Sequence, residues 1–145
     1  MRDDPRRRQA AAYPASLTLE TRFADMDVNG HLNNVAFARL FEETRVRFNR
    51  AGPAAPLAGE KRSSFVVAHV AIDYLAEGNY PAPVTIGYAI SHIGRSSFTV
   101  AMAAFQVGAC IALCDSVLVH RDPETGPAPI PPPLRERLEA LRLRG

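Results

Sequence analysis

No stretch of this 145-residue chain approaches the roughly 18 apolar residues in succession that a membrane-crossing helix needs, so none is expected and a membrane is not an expected partner. The N-terminal charges of "RDDPRRR" are not followed by an apolar run, so no secretory signal is expected, and Asp3 and Asp4 argue against a transit peptide. Charge of one sign is in short supply. The formal net charge is +2, and the arginines are scattered without interleaved aromatics, which argues against a nucleic-acid surface. Cysteine is scarce too: Cys110 and Cys114 lie in the alternating run "ACIALCDSVLVH". Four residues of strand span ~13 Å, beyond the reach of a disulfide, so both read as reduced packing residues; with neither a signal nor a transit segment expected, the cytoplasm is the expected location.

What is present is the material of one domain. Hydrophobic residues make up 47% and charged residues 22%, and the length suits a single core. Residues 1–15 are polar, Arg-rich and aperiodic, and read as a disordered lead. From Ser16 the run "SLTLETRF" alternates, with Leu17, Leu19, Thr21 and Phe23 on one side, which predicts a strand. Phe37, Leu40, Phe41, Thr44 and Phe48 then recur at helical spacing, ended by Gly52-Pro53, with Asn33 or Asn34 as cap. After an Ala/Pro/Gly-rich linker over 51–63, four strands are predicted at Phe65–Leu75, Val84–Ile93, Ser97–Val107 and Ala109–Val119. Their short connections predict an antiparallel meander with the helix packed on one face, an α+β layer. The domain proper spans 16–122. Residues 123–145 read as a Pro-rich connector and a short helix after Pro133, marked by Leu134, Leu138 and Leu141.

Between the first strand and the helix stands "DMDVNGHLNN", residues 25–34. Its D-x-D-x-N-G opening resembles a calcium loop, but the twelfth position, where that loop needs a bidentate Glu, is Ala36, and the entering segment is a strand. No metal site is expected. An acid/base site uses the same residues otherwise. A strand delivers Asp25 and Asp27 into a turn at Asn29 and Gly30, and the helix begins a few residues on, its free N–H groups and partial positive charge able to stabilise an oxyanion. The adjacent acid could activate water or attack a carbonyl, chemistry suited to ester or thioester hydrolysis. The same residues also serve simply to shape turns and caps, because Asp and Asn bond local backbone.

The segment "RFADMDVNGHLNNVAFARLFEETR" resembles the hotdog-fold thioesterases, specifically the 4-hydroxybenzoyl-CoA thioesterase-like acyl-CoA hydrolases, and the similarity runs through "GRSS" to the tail, roughly 16–140. The resemblance implies a hotdog fold: an antiparallel sheet wrapped around one long central helix, with a short C-terminal helix. It implies hydrolysis of acyl-CoA to free CoA and a carboxylic acid without a cofactor, in a homodimer or homotetramer with sites at subunit interfaces. It places the catalytic carboxylate on Asp27 as nucleophile or general base, the oxyanion donor on the backbone N–H of Asn34, and assisting roles on Asn29 and His31. Arg95 and Ser96 fall where some relatives hold the CoA phosphates, with Lys61 and Arg62 as further bases. A hotdog module that binds acyl thioesters without cleaving them is the alternative.

Overall fold

The computed structural model describes residues 1–52, 54–55 and 64–145. Of the linker read over 51–63, residues 53 and 56–63, Lys61 and Arg62 among them, lie outside the described residues. In chain order the elements are β1 (Ala15–Leu19), α1 (Asn34–Arg50), β2 (Ser64–Tyr74), β3 (Val84–Ile93), β4 (Ser97–Gln106), β5 (Ala109–Asp122), the two-residue β6 (Gly126–Pro127) and α2 (Pro132–Ala140). A curled antiparallel sheet in the order β1-β3-β4-β5-β2 packs around α1, the hotdog arrangement that the resemblance implies.

The alternation of the strands has two destinations. Val84, Ile86, Tyr88 and Ile90 of β3, Phe98, Val100 and Met102 of β4, and Ala112, Cys114 and Leu118 of β5 face Phe37, Leu40 and Phe41 of α1 and Leu134, Leu138 and Leu141 around α2. Leu40 and Phe41 are all but fully buried, each contributing roughly 1.5–3 kcal/mol of transfer free energy. The intervening residues Ala89, Ala103 and Leu113 form a second apolar cluster with Ala12 and Tyr13. Between β4 and β5, Val107 (φ 50°) and Gly108 (φ 77°) both take left-handed angles, the pair that a two-residue hairpin turn requires.

Three expectations are corrected. First, only β3, β4 and β5 form a meander; β2 lies at the far edge, antiparallel to β5 with Val70 opposite Ser116. The nine residues 75–83 between β2 and β3 are enough to cross two strands spaced about 4.8 Å apart, so a short connection did not mean adjacency. Second, the first strand ends at Leu19; Phe23 begins a 3-10 turn, Phe23–Asp25, and is largely exposed with its ring edge-on to Tyr80.

Third, the N-terminal lead is ordered. It makes two 3-10 turns, Pro5–Arg8 and Ala10–Ala12, on the sheet face opposite α1. Arg7 is buried there, pairing with Asp115 at 2.7 Å and donating to the carbonyls of Met102 (3.3 Å) and Cys114 (3.0 Å). The Tyr13 hydroxyl closes the turn by donating to the Arg7 carbonyl at 2.7 Å. Its ring packs on Gly87, where an added Cβ would come within 2.6 Å of it. Aperiodic sequence hides this because the anchoring is done by one long side chain that neutralises a distant acid, not by a repeating apolar face.

Candidate active site

The two acids of the motif have different surroundings. Asp25 is buried beneath the 3-10 turn it caps, accepting from the Arg22 N–H (2.9 Å), the Arg22 guanidinium (2.9 Å) and Arg39 of α1 (2.8 Å). Burial alone would raise its carboxyl, but the hydrogen bonds and charges of Arg22 and Arg39 outweigh that and hold it below the usual carboxylate range. Asp25 is thus occupied as the structural acid of the motif. Its carbonyl also accepts from Asn33 N–H at 2.9 Å, tying the entrance of the loop to the entrance of the helix.

Asp27, two residues on, is exposed. One carboxylate oxygen accepts from the backbone N–H of Asn29 (2.8 Å) and, more weakly, of His31 (3.3 Å). The loop is closed by Asp27 N–H to the His31 carbonyl (2.8 Å) and Gly30 N–H to the Asp27 carbonyl (3.1 Å), with Gly30 at φ 78° where a side chain would be strained. The second carboxylate oxygen of Asp27 makes no hydrogen bond among the described residues. The carboxylate is therefore aimed by the turn and still open on one side.

Asn33 is the helix cap, its side-chain oxygen accepting from Ala36 N–H at 2.7 Å. Asn34 and Val35 open α1, and among the described residues their N–H groups find no acceptor. Two unfilled donors at the positive end of a 17-residue helix suit an oxyanion. Asn29 reaches Asp27 through its backbone, while the His31 ring turns away to Glu77, with Nε2 3.0 Å from Oε2. Sequence reasoning missed Glu77, which stands in the 75–83 crossing segment; the only signal there was the turn-forming run "EGNYPAP".

That segment holds the motif in place. Leu32 N–H donates to the Gly78 carbonyl at 2.8 Å, and a Cβ on Gly78 would come within 2.7 Å of Leu32, so the backbones meet only because residue 78 is glycine. The Gln106 side chain in turn fixes the segment, accepting from Asn79 N–H (2.8 Å) and donating to the carbonyls of Asn79 (2.7 Å) and Ala82 (2.9 Å). Among the described residues no group of three His, Cys, Asp or Glu is placed to hold a metal ion.

Asp27, Asn29 and His31 are joined by hydrogen bonds within one loop, and Asn34 follows at the start of α1. Arg95 and Ser96 stand apart. They lie in the turn after β3, whose 10 residues put them roughly 30 Å from the motif within one chain. The Arg95 side chain is exposed; its carbonyl accepts from Ile130 N–H (2.9 Å), and that of Ser96 from His120 N–H (2.8 Å). Arg135 of α2 adds a second base beside this turn, donating to the Gly94 carbonyl at 2.6 Å.

The family model described as the thioesterase-like superfamily matches residues 21–138. The chain belongs to that superfamily. Among solved structures, a thioesterase from Thermus thermophilus complexed with coenzyme A and Zn is 30% identical, covering 92% of this chain and 98% of its own, with a TM-score of 0.76. A predicted thioesterase from Bacillus stearothermophilus is 28% identical (90% and 97% covered, TM-score 0.79), and the PA5185 protein of Pseudomonas aeruginosa PAO1 is 26% identical (92% and 95% covered, TM-score 0.79). No sequence among curated proteins matches. As a member of this superfamily the chain is a thioesterase by kind, and the part of it that the family model spans includes the whole motif.

Proposed function

We propose that the protein hydrolyses acyl-CoA thioesters, with Asp27 as the acting carboxylate. The observation that carries this reading is the pairing of an exposed carboxylate, aimed by turn N–H groups, with two unfilled helix N–H donors seven and eight residues on. The thioester carbonyl oxygen sits at the Asn34 N–H. Asp27 either takes a proton from attacking water or attacks the carbonyl carbon itself; the C–S bond breaks, a C–O bond forms, and CoA leaves as the thiolate, and in the second route water then cleaves the acyl anhydride on Asp27 to release the carboxylic acid and restore the carboxylate. Asn29 and His31 support the carboxylate through their backbone N–H groups, and the His31 ring, paired with Glu77, lines the approach. CoA bound by a relative, and the cytoplasm as the place where unpaired cysteines such as Cys110 and Cys114 persist, fit the same reading.

The working unit in this reading is at least a homodimer. The outer edge of β2 pairs with no strand among the described residues, and Val66, Val67, Val70 and Tyr74 along it are exposed. Such an edge invites a second copy. β2 runs from the Arg95 end of the sheet (Ser64 opposite Arg121) to the motif end (Tyr74 opposite Ala112). Antiparallel pairing of two β2 edges would therefore set the Arg95 turn of one copy beside the Asp27 loop of the other. Arg95 and Ser96 would then meet the CoA phosphates across the interface, Arg95 through its two-pronged guanidinium.

The test is thiol release from a series of acyl-CoAs. Asp27→Asn is expected to lower kcat by about a hundredfold or more, with the fold retained; full turnover in that variant would sink the mechanism. The second reading, a module that binds acyl-CoA without cleaving it, is favoured by the purely local bonds of Asp27, which a structural turn would make equally well. A thermal shift with acyl-CoA and no thiol release at any chain length would establish it.

A further inference from the structure

Among the described residues two arginines, Arg7 and Arg45, are buried, and they are treated differently. Arg7 has Asp115. Arg45 of α1, 7% exposed, has no carboxylate within ion-pair distance among the described residues, and its one hydrogen bond there is to the Ser116 hydroxyl at 3.2 Å. Its other guanidinium donors are not among the buried unpartnered atoms, so they remain in reach of solvent and open to an anion.

Its position gives those donors a use. Residues at i, i+4, i+7 and i+11 share one helix face, so Asn34, Ala38, Phe41 and Arg45 stand on one ridge of α1, with Ala38 small and exposed. That ridge looks toward β2. Ser116 and Cys114 point at α1, and directly opposite them in register are Val70 and Ile72, which therefore face the same side; the Tyr74 ring stands edge-on to Phe37 at 5.5 Å. Val70 and Tyr74 are each 45% exposed in the single chain, so there an apolar strip runs from the Asn34 end of α1 toward Arg45, alongside the β2 edge at which a second copy would sit.

We propose that this strip receives an acyl chain whose far end is a carboxylate, held by Arg45 with Ser116, so that the preferred substrates are CoA monothioesters of dicarboxylic acids. The inference rests on the hydrolase reading above and adds the substrate class. Charge complementarity selects this occupant over a plain alkyl chain, which would leave the cation uncompensated. Eleven residues separate Asn34 from Arg45, about 16 Å of helix axis, and the Arg side chain leans back toward the helix N-terminus. The remaining span of roughly 10 Å suits about six to eight carbons between the two ends of the acyl group.

The test compares octanoyl-CoA with the mono-CoA thioester of octanedioic acid on the wild-type protein. The expected result is a kcat/KM at least about tenfold higher for the carboxylated chain, carried mainly by KM, with the ratio falling to about one in Arg45→Met and partly restored in Arg45→Lys. Equal or poorer turnover of the carboxylated substrate by the wild type overturns the inference while leaving the hydrolase intact, and needs no variant that might misfold. If neither substrate releases thiol, the hydrolase reading fails instead. Calorimetric binding of the same two thioesters then decides the inference: preference for the carboxylated one supports it, equal affinity overturns it. A lowered oligomer mass in Arg45→Met together with equal substrates would assign Arg45 to a subunit contact and also overturn it.

Discussion

Replacing Arg7 with alanine tests whether the N-terminal segment is part of the domain. The substitution removes the cation from Asp115, whose side chain is 27% exposed, and with it the hydrogen bonds from Arg7 to the Met102 and Cys114 carbonyls. Breaking a buried pair costs about 3–5 kcal/mol; because water still reaches Asp115, the lower end applies, about 3 kcal/mol. For a chain of this length each kcal/mol is worth about 2–4 °C, so thermal unfolding should move down by about 10 °C, and the urea midpoint should fall with it. Asp115→Asn added to Arg7→Ala should cost less than the two changes separately, since it removes the stranded charge. A melting temperature within about 2 °C of wild type would refute the anchoring role and return residues 1–15 to the status of a loose lead.

Asp25 should dominate the acid limb of stability. Its folded carboxyl is held below its unfolded value of about 3.9, so its contribution is complete above that value and is lost as pH falls through the lower folded one; melting between pH 6 and 2.5 should be flatter in Asp25→Asn, and an unchanged slope would contradict the ion-pair assignment. The thiols should be inert in the native state at pH 8. Burial pushes Cys114 up to about 11 and raises half-buried Cys110 as well, so a disulfide reagent should label Cys110 slowly and Cys114 only on unfolding; rapid labelling of both would be inconsistent with the packing described.

How much of this was legible beforehand depends on how local the signal is. The period-2 runs located β3, β4 and β5, and the spacing of Phe37, Leu40, Phe41 and Thr44 located α1, because one face of each must be apolar. Asn33 and the turn at Asn29-Gly30 were legible as local backbone chemistry. The place of β2 was not, since strand order is set by pairing partners far apart in sequence. Arg7 carries no pattern at all, its importance residing in Asp115, more than a hundred residues away. The division of labour between Asp25 and Asp27 depended likewise on Arg39, one turn into α1 and fourteen residues beyond Asp25. Arg95 and Ser96 entered by resemblance, and the structure adds what resemblance could not: within one chain they are remote from the motif.

Gln106 makes its three hydrogen bonds away from the carboxylate. It stands at the last residue of β4, bonds to neither Asp27 nor the helix cap, and yet holds the segment on which Leu32 rests. Amide exchange at Leu32 should therefore report on residue 106 even though no hydrogen bond joins the two. Looseness of the loop and chemistry of the loop are in this way written at different addresses in the sequence. Selection for faster release of product, or for work at a lower temperature, has a position on which to act without disturbing the carboxylate itself.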